Sequence, residues 1–294
     1  MNLLQIENVR ENVSLKPYCT YGVGGEARFF YELADVDQLE MVLAAAREDN
    51  VAVFIFGGGS NVLFLDEGYP GLVIRVVANE VRVEENYVIA EAGAKWPAVI
   101  AAAREAGLCG LESFEGLPGT LGGAVVGNAG CFGTEIKDVF ASAMIYDLKK
   151  NKVREVGPEY FEFSYRWSRI KETKAVILSV KLCLDKGEIK PVKACPDTMA
   201  ARFEKQPPGK SGGSFFKNPS PDQPAGKLID ECGLKGHQIG GSKISEKHAN
   251  FFMNDGGGTA AELLELGEVA KSAVREKFGV ELKEEVMIAR AQTV

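Results

Sequence analysis

"VAVFIFGGGSNVL" (51–63) sets a run of β-branched and aromatic residues directly against three glycines, then Ser60, Asn61 and a second apolar run. The first run reads as a buried strand. Upstream, "ARFFYEL" (27–33) reads as another strand, and Asp35 stands at the N-cap of "VDQLEMVLAAARED" (36–49), whose apolar residues recur at helical spacing. Strand, helix and strand make a β-α-β unit, so the chain opens as an α/β layer with a glycine-rich loop leaving its second strand. A GxGxxG fingerprint would need glycine where Val62 stands, so a dinucleotide need not be held in Rossmann fashion.

Working outward, "EVRVEENYVIAEAG" (80–93) reads as a hairpin, "WPAVIAAAREAG" (96–107) as an amphipathic helix opened by Pro97, and "SAMIYDLKKNKVREV" (142–156) as a second hairpin. The middle third is therefore α+β. Gly, Pro and Lys in "DKGEIKPVKACPD" (185–197) suggest a linker, with a boundary near residue 192. Three units follow: 1–79, 80–192 and 193–294. In the last, Thr259 and Glu262 form a capping box ahead of "LLELGEVAKSAVREKF" (263–278), Gly279 stops that helix, and "VELKEEVMIA" (280–289) returns as a strand.

Composition narrows the function. With 294 residues, 46% hydrophobic and 26% charged, the chain has the make-up of a soluble globular protein of two or three domains. A net charge of −7 argues against a nucleic-acid partner. Cys19, Cys109, Cys131, Cys183, Cys195 and Cys232 are scattered without a CxxC pair, and no secretory signal precedes them, which implies reduced thiols in a cytoplasm. No apolar run approaches the roughly 20 residues a spanning helix needs, so no membrane insertion is expected. His237 and His248 lack metal-ligand spacing, which argues against a histidine metal site and weakens any Ser-His-Asp reading.

A second glycine-rich stretch, "GLESFEGLPGTLGGAVVGNAGCFGTEI" (110–136), joins the one at 57–61. Such loops let backbone N–H groups converge on a phosphate or pyrophosphate, and Ser60, Asn61, Thr120 and Asn128 would add side-chain donors. One such loop alone would read as a tight turn between packed strands. Two in adjacent units point to a dinucleotide gripped between them. "GKSGGSFFKNP" (209–219) poses a separate question in Ser214. A phosphate loop fails at Glu204, a GxSxG elbow fails at Phe216, and SxxK is met by Lys217 without its S-D-N and K-T-G partners.

Taken in order, "TYGVGGEA" (20–27), "GGGSNVL" (57–63), "GLPGTLGGAVVGNAG" (116–130), "FSYRWS" (163–168), "GGSFFKNP" (212–219), "AGKLIDECGLKGHQIGGSKISEKHANFFMN" (225–254) and "KEEVMI" (283–288) resemble the UDP-N-acetylenolpyruvoylglucosamine reductase family over nearly the whole chain. The resemblance implies an FAD-binding fold of the vanillyl-alcohol oxidase and p-cresol methylhydroxylase type in two subdomains, with a C-terminal α+β substrate-binding domain. It implies noncovalent FAD held by Gly57, Gly58, Gly59, Ser60, Asn61, Gly119, Thr120, Gly123, Ala124, Asn128, Ala129 and Gly130. NADPH would be the hydride donor and UDP-N-acetylglucosamine enolpyruvate the substrate, giving UDP-N-acetylmuramate for peptidoglycan, with no obligate protein partner. The short span between Arg166 and Ser211 is similar to the second, loop-less type. Gly127 and Met287 depart from the family, the latter where an arginine is usual.

The implied reaction adds hydride to the terminal carbon of an enol ether, so negative charge develops on the adjacent carbon and its carboxylate. Fixed donors must meet that charge. The resemblance assigns this to Arg166 and to a Glu285 kept protonated by burial, with Ser214 as general acid and Gly212 and Gly213 leaving space for substrate. It offers Tyr165, Lys205, Lys217 and Asn218 as substrate contacts and gives His248 the ordering of its loop. Without the family pattern, Ser214 reads as a turn serine, Arg166 as a strand-end ion pair and Glu285 as a solvent-facing residue. Two other readings stay open: an oxidase of the same fold that uses oxygen, and a nucleotide-sugar binding protein without turnover.

Overall fold

The computed structural model describes residues 2–173, 175–187, 204 and 206–291. Most of the linker expected at 185–197, the boundary near 192, and Lys205 lie outside the described residues. The first unit contains β1 (Arg10–Ser14), β2 (Glu26–Leu33), α1 (Leu39–Glu48), β3 (Val53–Phe56), β4 (Val62–Phe64) and β5 (Tyr69–Val76). Its sheet runs β1-β2-β5-β3, with β5 parallel to both β2 and β3. The β-α-β unit therefore forms with β5 inserted between its strands.

Both faces of this sheet are covered, which explains the near-continuous apolar sequence of β5. Leu72, Ile74 and Val76 face a core shared with α1 and the second unit, while Tyr69 and Val73 face a core shared with the third unit. In β2 a register shift between Ala27 and Phe29 lets residues of the same parity serve opposite cores. The expectation of a buried strand at 51–56 needs correction: β3 forms the sheet edge, and Phe56 is its only buried residue. An edge strand lacks a neighbour on one flank, so an apolar run does not ensure burial there.

The second unit contains β6 (Val81–Glu84), β7 (Tyr87–Glu91), α2 (Trp96–Glu105), α3 (Leu121–Gly127), β8 (Phe140–Asp147), β9 (Lys152–Val156) and β10 (Ala175–Cys183). Its antiparallel sheet runs β9-β8-β10-β7-β6. Both expected hairpins are present. Helix α2 buries Trp96, Val99, Ile100 and Ala103, one helical face, and the Trp96 ring stacks on Phe114 at 4.7 Å.

The third unit contains β11 (Lys210–Ser214), α4 (Ala225–Glu231), β12 (Ser242–Ile244), β13 (Phe251–Asn254), α5 (Ala260–Phe278) and β14 (Met287–Ala289). The capping box of α5 forms as expected, and Gly279 closes the helix at φ +67°. Asp66 adds bidentate acceptance from the N–H groups of Ala260 and Ala261, each at 2.9 Å, so the first unit also caps this helix. Strand β14 does not join the third unit's sheet. It pairs in parallel with β4, Met287 opposite Val62 and Ala289 opposite Phe64. A sequence pattern shows that a strand exists, but not which edge receives it.

Candidate active site

The two glycine stretches meet. A Cβ on Gly58 would stand 2.7 Å from the Gly119 Cα, one on Gly57 would stand 2.3 Å from the Thr120 Oγ1, and one on Gly119 would stand 2.6 Å from the Ser60 Oγ. At Gly58 the contact is with backbone, so only glycine lets these two main chains approach so closely, while Gly57 and Gly119 meet the Thr120 and Ser60 hydroxyls. Beside this seam lies a cavity of about 510 Å³ lined by Gly57, Gly58, Gly119 and Thr120, and also by Arg75, Asn79, Lys95 and Pro97. Thr120 caps α3 by accepting from the Gly123 N–H. Bare backbone beside the Lys95 ammonium suits a dinucleotide's diphosphate, so these residues fit the implied FAD, while Arg75 is paired with Glu32 at 3.0 Å. Arg75 and Lys95 went unnoticed in the sequence because neither belongs to a glycine-rich block.

Three of the expected cofactor residues are committed elsewhere. Asn128, the left-handed C-cap of α3 at φ +41°, is fully buried. Its amide donates to Glu135 at 3.1 Å and to the Ser164 carbonyl at 3.0 Å, and its oxygen accepts from the Lys137 N–H. This corrects its expected place as a free side-chain donor. The Asn61 amide donates to the Glu285 carbonyl at 3.1 Å. Gly130 carries the Arg166 guanidinium, its carbonyl accepting from Nη2 at 3.0 Å, and a Cβ there would meet Nη1 at 2.9 Å. Ala124 is buried on the inner face of α3, while Gly123 is exposed and Ala129 half-buried.

A charged cluster adjoins the seam at Asn61 and Gly130. Arg166 stands in a tight turn closed by two hydrogen bonds between Ser164 and Trp167, in the left-handed region at φ +53°. Its Nε donates to Glu285 Oε1 at 3.0 Å, with side-chain exposures of 25% and 17%. Glu285 is placed by pairing of 215–217 with 283–285: its N–H donates to the Phe215 carbonyl at 2.8 Å, and the Lys217 N–H to the Lys283 carbonyl at 2.9 Å. Ser214, at the end of β11 opposite Phe251, is thus one residue from the backbone partner of Glu285.

Adjacent carboxylates on this extended segment point to opposite sides. Glu284 meets Lys271, and although burial opposes it, that ammonium holds its carboxyl below the usual range. Burial raises the Glu285 carboxyl above its usual value despite the nearby Arg166, Lys171 and Lys217. Burial lowers the Lys171 ammonium, helped by Lys217 and Arg166 and opposed by Glu285. Three cations therefore converge on one carboxylate, leaving excess positive charge for an anionic ligand. Lys171 was missed because nothing in "RIKETK" separates it from a surface lysine.

The substrate candidates divide. Lys217 lies within the field of Glu285. Tyr165, 45% exposed, accepts from the Asn218 N–H at 3.4 Å and lies beside Arg166, whose guanidinium carbon is 5.3 Å from its ring centroid. The Asn218 oxygen accepts from the Ala225 N–H and so secures the start of α4. The space expected at Gly212 is taken: a Cβ there would lie 2.2 Å from the buried Tyr21 ring, so this glycine accommodates protein rather than ligand. Gly213, at φ +79° with nothing within 4 Å, is required by backbone conformation instead. At Gly127 a Cβ would likewise meet nothing within 4 Å, leaving room for the larger residue usual there. Met287 lies in β14, its N–H donating to the Asn61 carbonyl. His248 accepts from the Asn250 N–H in its own loop. Among the described residues no group of three or more His, Cys, Asp or Glu is placed to hold a metal, and no helix is long and apolar enough to cross a membrane.

Residues 204–289 match the family described as UDP-N-acetylenolpyruvoylglucosamine reductase, C-terminal domain, and residues 27–157 match the FAD binding domain family. The UDP-N-acetylenolpyruvoylglucosamine reductase of Caldicellulosiruptor bescii is 43% identical over 277 residues, covering 92% of this chain and 88% of that protein. The Clostridioides difficile reductase is 38% identical over 292 residues, covering 98% and 95%. The crystal structure of UDP-N-acetylenolpyruvylglucosamine reductase from Thermus caldophilus superposes with a TM-score of 0.80 at 34% identity, covering 96% of this chain and all of that one.

Proposed function

The chain belongs to the UDP-N-acetylenolpyruvoylglucosamine reductase family, and we propose that it reduces the enolpyruvyl group of UDP-N-acetylglucosamine enolpyruvate to UDP-N-acetylmuramate in the cytoplasm, with NADPH as hydride donor. The observation that carries this reading is the contact between seam and cluster. Asn61, at the end of one glycine loop, binds the Glu285 backbone, and Gly130, at the end of the other, binds the Arg166 guanidinium. The groups expected to act on substrate are therefore bonded to the far ends of the two glycine loops whose other residues line the cavity.

The loops 57–61 and 116–130 would hold FAD noncovalently, and the bound flavin would supply the hydride relay between the two substrates. Arg166 offers the planar, two-pronged donor that suits a carboxylate, and its Nε holds Glu285, whose carboxyl burial raises above its usual value, beside the same position. Together they meet negative charge as it forms on the enol carboxylate. Ser214 gives its hydroxyl proton to the carbon beside that carboxylate and recovers one from solvent. Lys217 adds charge to the same field, Tyr165 and Asn218 form the adjoining rim, and Lys205 is retained as a further substrate contact.

Anaerobic addition of NADPH to the purified yellow protein, followed by the enolpyruvyl nucleotide, tests this. Bleaching by NADPH and recovery of colour with the nucleotide are expected. Bleaching that only oxygen reverses favours an oxidase, and no bleaching favours a binding protein.

A further inference from the structure

Arg166 occupies a backbone conformation that L side chains rarely adopt, so its surroundings must hold it there. The turn supplies two backbone hydrogen bonds. A third constraint comes from Lys171, whose Nζ donates to the Arg166 carbonyl at 2.9 Å. Lys171 ends a one-turn helix, Arg169–Lys171, that follows Ser168, and the buried Ser168 hydroxyl donates to the Val126 carbonyl at 2.8 Å. The one-turn helix that carries Lys171 is thereby tied at its start to the C-terminal half of α3. Lys171 is half-buried beside two other cations, Arg166 and Lys217, with Glu285 as the facing anion. A lysine serving only solubility would extend into water; this one turns back onto the main chain of the residue that carries the guanidinium.

We propose that Lys171 is a positioning residue for the reductive step: its ammonium clamps the Arg166 main chain in the left-handed conformation and so keeps the guanidinium on Glu285 and on the substrate carboxylate. This rests on the assignment of Arg166 made above. Displacing a catalytic group by about 1 Å can cost on the order of 10²-fold in rate.

The test compares Lys171→Met with Lys171→Arg. Lys171→Met should retain FAD and be bleached by NADPH as the unmodified protein is, while reoxidation at saturating enolpyruvyl nucleotide slows about 10²-fold with a smaller change in KM. Lys171→Arg, which keeps a charged donor, should recover to within about tenfold of the unmodified rate. A crystal structure of Lys171→Met should show Arg166 out of the left-handed region. Unchanged reoxidation, a loss confined to KM, or equal slowing of both half-reactions overturns the proposal. If Lys171→Met does not accumulate as folded protein, Lys171→Gln provides the same measurements with the charge removed. Should the unmodified protein fail to be reoxidised by the nucleotide, the functional reading falls, and the crystal structure still decides this one: Arg166 unmoved without Lys171 refutes the clamp.

Discussion

The seam at 57–61 and 119–120 is built by taking side chains away, whereas the cluster around Arg166 is built by gathering them from distant segments. At the seam, backbone meets backbone and the restriction is steric: a Cβ on Gly58 would stand 2.7 Å from Gly119. In the cluster, Arg166, Lys171, Lys217 and Glu285 share one field, in which burial and the surrounding charges shift Lys171 and Glu285. Backbone seams are set by shape and are largely indifferent to pH. Charge clusters are set by burial and respond to every partner removed.

That contrast can be broken at four points, and Ser214→Ala carries the largest expected effect. Flavin content and bleaching by NADPH should be preserved, while reoxidation by the enolpyruvyl nucleotide slows about 10²- to 10⁴-fold, the range of general acid catalysis. Stopped-flow traces of the separate half-reactions measure this, and normal reoxidation at saturating substrate removes Ser214 as proton donor. Arg166→Lys and Glu285→Gln come next, with turnover expected to fall about 10²- to 10³-fold through lost stabilisation of developing charge. Steady-state kinetics with turnover unchanged in both variants would take the cluster out of catalysis.

Gly58→Ala tests the other side. Overpacking of this kind costs about 1–3 kcal/mol, so FAD affinity should weaken roughly 5- to 150-fold while the reoxidation rate of flavin-saturated protein stays near normal. Flavin fluorescence titration decides it, and undiminished affinity would show that the seam does not hold the cofactor. The smallest effect concerns stability. Because burial raises the Glu285 carboxyl in the folded state, the folded protein binds more protons than the unfolded chain between the usual value of 4.5 and the raised one, and this group's contribution is lost as pH rises through that window. Glu285→Gln should therefore melt higher than the unmodified protein at pH 8, with the gain vanishing in acid. Melting curves across pH check the sign, and a gain that grew in acid would reverse the account.

The same contrast explains what the sequence reveals. Glycine density, strand runs, both hairpins and the Thr259–Glu262 capping box are local, and local chemistry is written in consecutive residues. The blocks that resemble the reductase family offered Arg166, Ser214 and Glu285 as candidates, and the structure sets Arg166 against Glu285 with Ser214 one residue before the backbone partner of Glu285. What escaped depends on partners far along the chain. One acceptor of the Asn128 amide is the Ser164 carbonyl, the occupant of the space at Gly212 is Tyr21, and the neighbour of β14 is β4. Lys171 escaped for the same reason, since its role lies in the backbone shape of Arg166 rather than in its own surroundings in sequence.

The pairing of β14 with β4 bears on how the chain is made. The Asn61–Glu285 hydrogen bond spans 224 residues, and synthesis at about 5–20 residues per second leaves on the order of 10–45 s between the emergence of its two ends. Throughout that interval β4 presents an apolar strand without this partner, the kind of edge that recruits a wrong neighbour. The nascent first unit has its glycine loop long before its closing strand, so the loop and the segment that carries Glu285 are joined only after the whole of the intervening chain has been made.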